Sequence, residues 1–261
     1  MAQISAVVIT FNEETHIEKC LSSLDGIADE IVVVDSFSTD STEEICRRHK
    51  VRFIKHEFEG YKEQKNFALT LASFPYVLSL DADEALSEEL KKSILATKDD
   101  LKYDGYVFNR RNNYYGRWMK HSGLYPDRHM RLFSRSKGMW IGPNPHDKFR
   151  LNKGGTSIRL RGDIYHWCHA SLEEHVDKIN RFSTIIANEY FSSGRKAGIC
   201  TAIFHMIWRF FRSFFIQAGF LDGPSGYTSC AISAWASFLK YSKLRQLNIN
   251  AKNTEKNSDC I

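Results

Sequence analysis

Three acidic side chains follow an apolar run in the segment YVLSLDADEAL, and their spacing indicates a site for a cation. They are Asp81, Asp83 and Glu84. Clustered carboxylates repel one another and are costly to bury unless a positive group lies between them. On an extended strand end, residues i and i+2 point the same way, so Asp81 and Asp83 share one side. Mg²⁺ and Mn²⁺ prefer oxygen ligands and are held by one or two carboxylates plus substrate phosphates. We therefore predict a divalent cation at Asp83 and Asp81.

Polar residues also follow two other expected strands. They occupy positions 10–13 and 35–40. In an open parallel sheet, ligands bind at the carboxyl ends of the strands, so these segments are expected at one edge together with positions 81–84. Each segment alone has a structural alternative, namely turn formation and helix capping for Asp40, contact with a helix dipole for Glu13, or a solvated loop for the acidic triplet. The convergence of the three strand ends favours a binding site.

Phosphate binding at such a site would depend on cations, because the sequence contains neither GxxxxGK[ST] nor GxGxxG. Lys65 is one candidate. Arg128 and Arg131 belong to the basic segment DRHMR, which would hold a diphosphate or an anionic acceptor, with a solvated strand face as the alternative. His166 is a candidate contact of the leaving phosphate. The HxCH spacing around His166 fits no common zinc pattern.

The elements that position these residues alternate over the first 100 residues. Runs of strand length are separated by segments with helical periodicity or capping signals, which predicts a mostly parallel sheet flanked by helices. The runs are at 4–10, 30–36, 51–58 and 76–84. Positions 102–164 are rich in aromatic, arginine and turn residues, and they predict a more antiparallel half. The fold class is therefore α/β.

The composition is that of an ordinary globular protein, with 43% apolar and 26% charged residues. Six cysteines without a CxxC pair argue against a zinc ribbon or a disulfide framework and fit a reducing compartment. The N-terminal run reads as a buried strand rather than a secretion signal. We expect no membrane span, because no run in the sequence approaches the roughly 18–20 successive apolar residues that a span needs.

Four segments together resemble the N-terminal half of the family 2 inverting glycosyltransferases, which adopt the GT-A fold. They read VVITFNEETHIEKCLSSL, EIVVVDSFSTDST, KNFAL and LSLDADE. Later segments resemble a narrower branch, the lipopolysaccharide core glycosyltransferases of the WaaE/KdtX type. These read RLFSR, WIGPNPHDKF, IYHW, SLEEHVDKINRFS and GFLDGPSGY. The resemblance implies a metal-dependent hexosyltransferase. Its donor would be a nucleotide-diphosphate sugar, expected to be a UDP-sugar, and its acceptor a saccharide of lipopolysaccharide core or another cell-surface glycan.

The resemblance also implies roles at matching positions. Asp35 would meet the uracil edge, and Lys65 or Asn66 would lie near the base or the diphosphate. Asp81 would lie at the ribose or the metal shell, and Asp83 would bind Mn²⁺ or Mg²⁺. The nucleotide-sugar site as a whole would comprise Thr10, Phe11, Asn12, Glu13, Asp35, Lys65, Asn66, Asp81 and Ala82.

An inverting transfer needs a general base that takes the proton of the acceptor hydroxyl. The related branch has a His-Glu pair where this chain has His146 and Asp147, so Asp147 is the expected base, with a side chain one methylene shorter. The alternatives are Asp127 or Glu84 as the base, with Asp147 paired to a nearby cation. Candidate contacts of the acceptor or phosphate are Arg128, Arg131, His146 and His166.

We expect a GT-A domain at 1–191 followed by a helical extension at 192–247 and a disordered tail at 248–261. The domain divides into a nucleotide-binding half at 1–100 and an acceptor half at 101–191. The extension is basic and aromatic, and it is expected to be core, an oligomer contact or a lipid-interface element. We predict peripheral membrane contact through 200–247, a cytoplasmic location at the inner face of the cytoplasmic membrane, and no nucleic-acid partner.

Three rival functions are compatible with the same sheet. A polyprenyl-phosphate sugar transferase shares the N-terminal half but uses another acceptor. A sugar-phosphate nucleotidyltransferase usually carries a glycine-rich loop after its first strand, where this chain has TFNEE. A non-catalytic module that binds nucleotide sugars or glycans would tolerate the loss of Asp147.

Overall fold

A computed structural model describes residues 2–142, 147–169 and 171–258. Strands and helices alternate over the first 100 residues as predicted, with one additional short strand, β5. The elements of this part are β1 (Ile4–Thr10), α1 (Ile17–Ser23), β2 (Glu30–Asp35), α2 (Thr42–Arg48), β3 (Arg52–Lys55), α3 (Tyr61–Leu71), β4 (Tyr76–Asp81), β5 (Glu84–Leu86) and α4 (Glu88–Lys98).

The later elements are mainly strands up to residue 169 and helices beyond it. They are β6 (Gly105–Tyr114), β7 (Arg117–Trp118), β8 (Asp127–Ser134), β9 (Gly138–Ile141), β10 (Lys148–Leu151), β11 (Ser157–His169), α5 (Leu172–Ser192), α6 (Ile199–Phe211) and α7 (Gly223–Ser258). A π-helical turn (Arg212–Ile216) and a 3₁₀ turn (Gly219–Asp222) connect α6 to α7.

The main sheet has the strand order β3-β2-β1-β4-β8-β6-β11-β5. The first four strands pair in parallel, and β8 joins β4 in the antiparallel sense. The pairs β6–β8 and β11–β5 are antiparallel as well, which confirms the predicted change of character after residue 100. Because β1 lies between β2 and β4, the loops that follow these three strands emerge at one edge of the sheet.

Strand β1 is buried along its whole length because helices cover both faces of the sheet. Its side chains alternate between two cores, with Val8 in one and Val7 in the other. The first core also contains side chains of α1, α2 and α4, and the second contains side chains of α3 together with Trp140 and Phe149. Both faces of the parallel half are therefore packed, as the β-branched run predicts.

The chain forms two compact units whose bounds differ from the predicted domains. One comprises Met1–Asn112 and Pro126–Cys168, and the other comprises Asn113–Tyr125 and His169–Ile261. Helix α5, which we assigned to the acceptor half, belongs to the second unit, because it packs against α7. The predicted start of the extension at residue 192 stays a prediction.

The structure bears on two expectations about the C-terminal region. Helix α7 continues to Ser258, so the expected disordered tail at 248–261 overlaps its last turns. The segment Ile199–Ile216 is long and apolar enough to cross a bilayer, by length and composition alone, although we expected no such run. The five cysteines in the described part of the chain are free thiols.

Candidate active site

Two acids of the DADE segment, Asp81 and Glu84, are neutralised by basic side chains of the protein. Oδ2 of Asp81 accepts a hydrogen bond from Arg131 Nη2 at 2.8 Å, and its Oδ1 lies 3.1 Å from Lys65 Nζ. Glu84 is fully buried, and its Oε1 accepts hydrogen bonds from Arg131 at 2.6 Å and from Arg110 at 3.3 Å. Burial raises the pKa of Asp81, but the charges of Arg131 and Lys65 outweigh it and lower that pKa well below its usual value.

These contacts bear on two predictions. Asp81 is compensated by two cations of the chain, so the geometry favours Asp83 over Asp81 as the ligand of a metal. Arg131 is only 2% exposed and bridges Asp81 at the end of β4 and Glu84 at the start of β5. Its predicted contact with a phosphate or an acceptor stays a prediction.

The third acid of the segment, Asp83, faces His166 of β11. Nε2 of His166 lies 3.2 Å from Oδ2 of Asp83. The other ring nitrogen, Nδ1, lies 2.5 Å from Oδ1 of Asn112, which is buried. Because an amide oxygen only accepts, Nδ1 carries a proton, and Nε2 presents either a second proton or a lone pair to Asp83.

This pair fits a hard divalent cation whose other ligands come from a substrate. No group of three or more His, Cys, Asp and Glu side chains suited to a metal occurs in the part of the chain that the structure describes. Mg²⁺ and Mn²⁺ need few protein ligands when they are bound with a diphosphate. An oxygen of Asp83, with Nε2 of His166 beside it, would be the protein's contribution to such a site. His166 was predicted to contact the phosphate directly, and its position beside Asp83 gives it a different candidate role.

The loops after β1 and β2 are joined by hydrogen bonds at the same edge of the sheet. Asn12 donates its backbone N–H to Ser38 Oγ at 2.8 Å, and its Oδ1 accepts the N–H of Thr39 at 2.8 Å. Ser38 in turn donates its N–H to Oδ2 of Asp35 at 2.9 Å, and its hydroxyl donates to Oδ1. Asp35 is fully buried, so it shapes this junction. The strand ends therefore converge as predicted.

Two exposed phenyl rings stand on these loops. Phe11 is 56% exposed and Phe37 is 55% exposed. Asn12 and Phe37 have positive φ angles of 52° and 62°, a conformation that is uncommon outside glycine and that clusters at functional sites. Thr10 is buried, and its hydroxyl has no hydrogen-bond partner within the described residues. The sequence analysis did not single out Phe37, although an aromatic residue inside the polar loop DSFSTD was a usable signal.

Lys65 and Asn66 on α3 have separate roles. Lys65 is buried, its Nζ lies 3.0 Å from Oδ2 of Asp147, and the same atom lies 4.6 Å from the centre of the Trp140 ring. Asn66 donates to the backbone oxygen of Trp140 and accepts its N–H, both at 3.0 Å. The prediction that Asn66 contacts the base or the diphosphate is not supported, because both ends of its amide hold β9.

The candidate bases differ in how strongly they are held. The side chain of Asp147 is 4% exposed and pairs with Lys65. Asp127 accepts hydrogen bonds from Arg110 at 2.7 Å and from His129 at 2.9 Å. Burial opposes ionisation of Asp127, but His129 and Arg110 lower its pKa well below the usual range, which makes it a weak base.

Four predicted positions remain. Glu13 donates its backbone N–H to Thr42 at the start of α2, and Ala82 is buried beside the end of β1. Arg128 is exposed on β8, and its predicted contact with an acceptor or phosphate stays a prediction. His146 lies outside the described residues.

Comparison with known proteins identifies the family. The profile described as Glycosyl transferase family 2 matches residues 5–155. The chain belongs to glycosyl transferase family 2. It is therefore a glycosyltransferase, as the resemblance implied, and its sheet and flanking helices are the GT-A arrangement of that family.

Two curated relatives extend over nearly the whole chain. The uncharacterized glycosyltransferase RT0209 of Rickettsia typhi is 32% identical and aligns with 97% of this chain and 90% of its own. The lipopolysaccharide core biosynthesis glycosyltransferase LpsC of Rhizobium meliloti is 30% identical, with 93% and 92% covered. Among solved structures, S. aureus TarS 1-349 in complex with UDP-GlcNAc superposes with a TM-score of 0.47 at 17% identity, covering 97% of this chain and 92% of that one.

Proposed function

We propose that this family 2 enzyme transfers a glycosyl group from a UDP-sugar to a saccharide of lipopolysaccharide core, with inversion and with the help of a divalent cation. The observation that carries the proposal is the pairing of Asp83 with His166 at the sheet edge where the loops after β1 and β2 meet. This edge is where open α/β sheets bind their ligands.

The loops after β1 and β2 are proposed to hold the uridine. Phe11 and Phe37 offer exposed aromatic rings, and rings of this kind stack on bases. Asp35 accepts one hydrogen bond from Ser38 on each oxygen, and a carboxylate oxygen has a second lone pair for an N–H of uracil. The fixed Asn12–Ser38 junction would keep these groups in place before the donor arrives.

Asp83 and His166 would hold the cation, and Mn²⁺ or Mg²⁺ there would neutralise the charge that develops on the leaving diphosphate. Arg131 and Lys65 keep Asp81 ionised behind this pair. Asn112 fixes the ring of His166 by accepting a hydrogen bond from Nδ1, so that Nε2 stays directed at Asp83.

Asp147 is proposed as the general base. It would take the proton of the acceptor hydroxyl while that oxygen attacks the anomeric carbon, and the electron pair of the breaking glycosidic bond would leave with UDP. Glu84 and Asp127 are each held by two charged partners, which favours Asp147 over both. Lys65, which pairs with Asp147, lies close enough to Asp81 to stay in contact with the site when it releases the base.

The acceptor assignment rests on similarity over nearly the full chain to LpsC, whose name places it in lipopolysaccharide core biosynthesis. Such an acceptor is a saccharide on a lipid. We therefore propose that the enzyme works as a peripheral protein at the inner face of the cytoplasmic membrane.

A thermal-shift panel tests the donor and the cation together. UDP-, GDP- and dTDP-sugars are each added with Mn²⁺, with Mg²⁺ and with a chelator. We expect selective stabilisation by a UDP-sugar with Mn²⁺ or Mg²⁺, about 2.7 kcal/mol at a hundredfold excess over Kd. Equal stabilisation in chelator would contradict the cation, and a preference for GDP- or dTDP-sugars would contradict the uridine.

A further inference from the structure

Helix α6 carries a continuous apolar face that is open to solvent. We define the α6 apolar face as five side chains that are 41% to 64% exposed and recur at spacings of three and four residues. They are Ile203, Phe204, Ile207, Trp208 and Phe211. Two further apolar side chains in the π-helical turn are also exposed, Phe215 to 54% and Ile216 to 61%. Exposed apolar patches of this kind mark sites of interaction.

The opposite side of α6 already has its partner, which is α7. Ala202 and Ser213 are buried there, and the ring of His205 stacks on that of Tyr241 with 4.2 Å between the centres. Ser213 donates its hydroxyl to the backbone oxygen of Arg209, which satisfies this polar group within the helix. Packing on α7 also involves Phe210, whose ring centre lies 5.9 Å from that of Tyr227, and it leaves the α6 apolar face outward.

The charged residues of the segment that contains α6 are almost all basic. From residue 196 to residue 250 the sequence contains six basic residues and a single acid, Asp222. Asp222 is 2% exposed, and its carboxylate accepts the backbone N–H groups of His121 and Lys120. The carboxylate of Asp222 is therefore bound inside its unit, whereas Arg212, directly after α6, is exposed. An anionic surface would complement this combination.

We propose that α6 docks on an anionic lipid bilayer, with its apolar face inserted at the level of the headgroups and the neighbouring cations on lipid phosphates. A second copy of the chain is a poorer occupant, because two such faces would bring like charges together. An interfacial position also suits α6 better than a span, because one side of the helix stays packed on α7. The inference deepens the proposed function, on which it rests for its purpose of bringing the enzyme to a lipid-linked acceptor.

Vesicle flotation of the full chain tests the docking surface. The vesicles contain phosphatidylcholine alone, or phosphatidylcholine mixed with phosphatidylglycerol. We expect the wild type to float with the mixed vesicles and much less with the neutral ones. Ile207→Asp removes an exposed apolar contact and adds a negative charge, so we expect about tenfold weaker binding. The matched control is Leu95→Asp, a residue of α4 that is 45% exposed, which should bind as the wild type does.

Three further measurements separate the outcomes. An unchanged melting temperature shows that Ile207→Asp is folded, and unchanged affinity for a UDP-sugar shows that donor binding is independent of docking. A wild-type protein that floats with the vesicles but does not bind a UDP-sugar would contradict the proposed function and leave the docking surface supported. Equal flotation of wild type and Ile207→Asp would overturn the docking surface. Light scattering that finds dimers dispersed by Ile207→Asp, without vesicle binding, would assign the face to a second copy.

Discussion

Nε2 of His166 lies 3.2 Å from Oδ2 of Asp83, while Asp81, two residues earlier, is held by Lys65 and Arg131. The two aspartates of the same short motif thus have different surroundings. One is neutralised by lysine and arginine and anchors the end of β4. The other faces the imidazole of His166 and is the residue proposed to bind the cation. The distinction predicts different results when each group is changed.

Asp83→Asn is expected to weaken Mn²⁺-dependent binding of the donor at least about tenfold, or about 1.4 kcal/mol, because the diphosphate loses the cation that neutralises it. Isothermal titration with a UDP-sugar, with and without Mn²⁺, measures the effect. His166→Gln should act in the same direction. Asp100→Asn, an exposed acid whose neighbour is Lys102, is the control and should bind normally. Unchanged affinity of Asp83→Asn in Mn²⁺ would remove this residue from the metal site.

Asp147→Asn is expected to bind the donor normally and to transfer on the order of 10²–10⁴ times more slowly, because the amide cannot accept the proton. Single-turnover transfer and donor titration of the same preparation separate the two effects. Asp147→Glu keeps the carboxylate and should restore part of the rate. Full turnover by the asparagine variant would place the base elsewhere.

Arg131→Met is expected to lower the free energy of unfolding by about 3–5 kcal/mol, because it leaves Glu84 buried with its charge only partly compensated. Urea denaturation measures the change. Arg128→Met, on the same strand but exposed, should stay within about 0.5 kcal/mol of the wild type. A stable Arg131→Met protein that had lost only diphosphate binding would support the surface role that the burial of Arg131 argues against.

The stability of the second unit should depend on pH through His175. Burial, and then the charge of Lys178, lowers the pKa of His175 to about 4, while the tyrosine hydroxyls of Tyr114 and Tyr115 lie 3.0 Å from its Nδ1. A lowered folded-state pKa favours the neutral ring. Its stabilisation is therefore complete above the unfolded pKa of about 6.5 and is lost as the pH falls from there towards 4.

His175→Gln removes the titrating group and tests this dependence. Between pH 7 and pH 5 the wild type should lose about 2 kcal/mol more than the variant does. Urea unfolding at both pH values gives the comparison. A variant that loses as much stability as the wild type would show that His175 does not titrate across this range.

The sequence was a reliable guide wherever one strand or helix determines the outcome. The β-branched runs predicted the parallel strands, and Ser87 caps α4 by accepting the N–H of Leu90. The polar loops after β1, β2 and β4 were predicted to meet, and the Asn12–Ser38 contact is part of that meeting. In each case the pattern of neighbouring residues carries the information, because periodicity and capping act over a few positions.

The partners of the charged side chains could not be predicted from the sequence. Arg131 read as a surface cation in a basic segment, and only its pairing with Glu84, 47 residues earlier in the chain, showed that it is internal. Asn112 and Trp140 gave no chemical signal, yet one orients His166 and the other lies under Lys65. The contact of Asn66 with Trp140 has the same origin, since the two residues lie 74 positions apart.

The sequence by itself determined the alternating sheet, the family and the set of acids at the strand ends, because these depend on local pattern and on residue type. Only the tertiary structure decided which acid is neutralised by lysine and arginine, which one faces a histidine, and which side of α6 is left to solvent. Those properties depend on distances between residues far apart in the chain, and electrostatic interaction and burial follow distance in space rather than order in sequence.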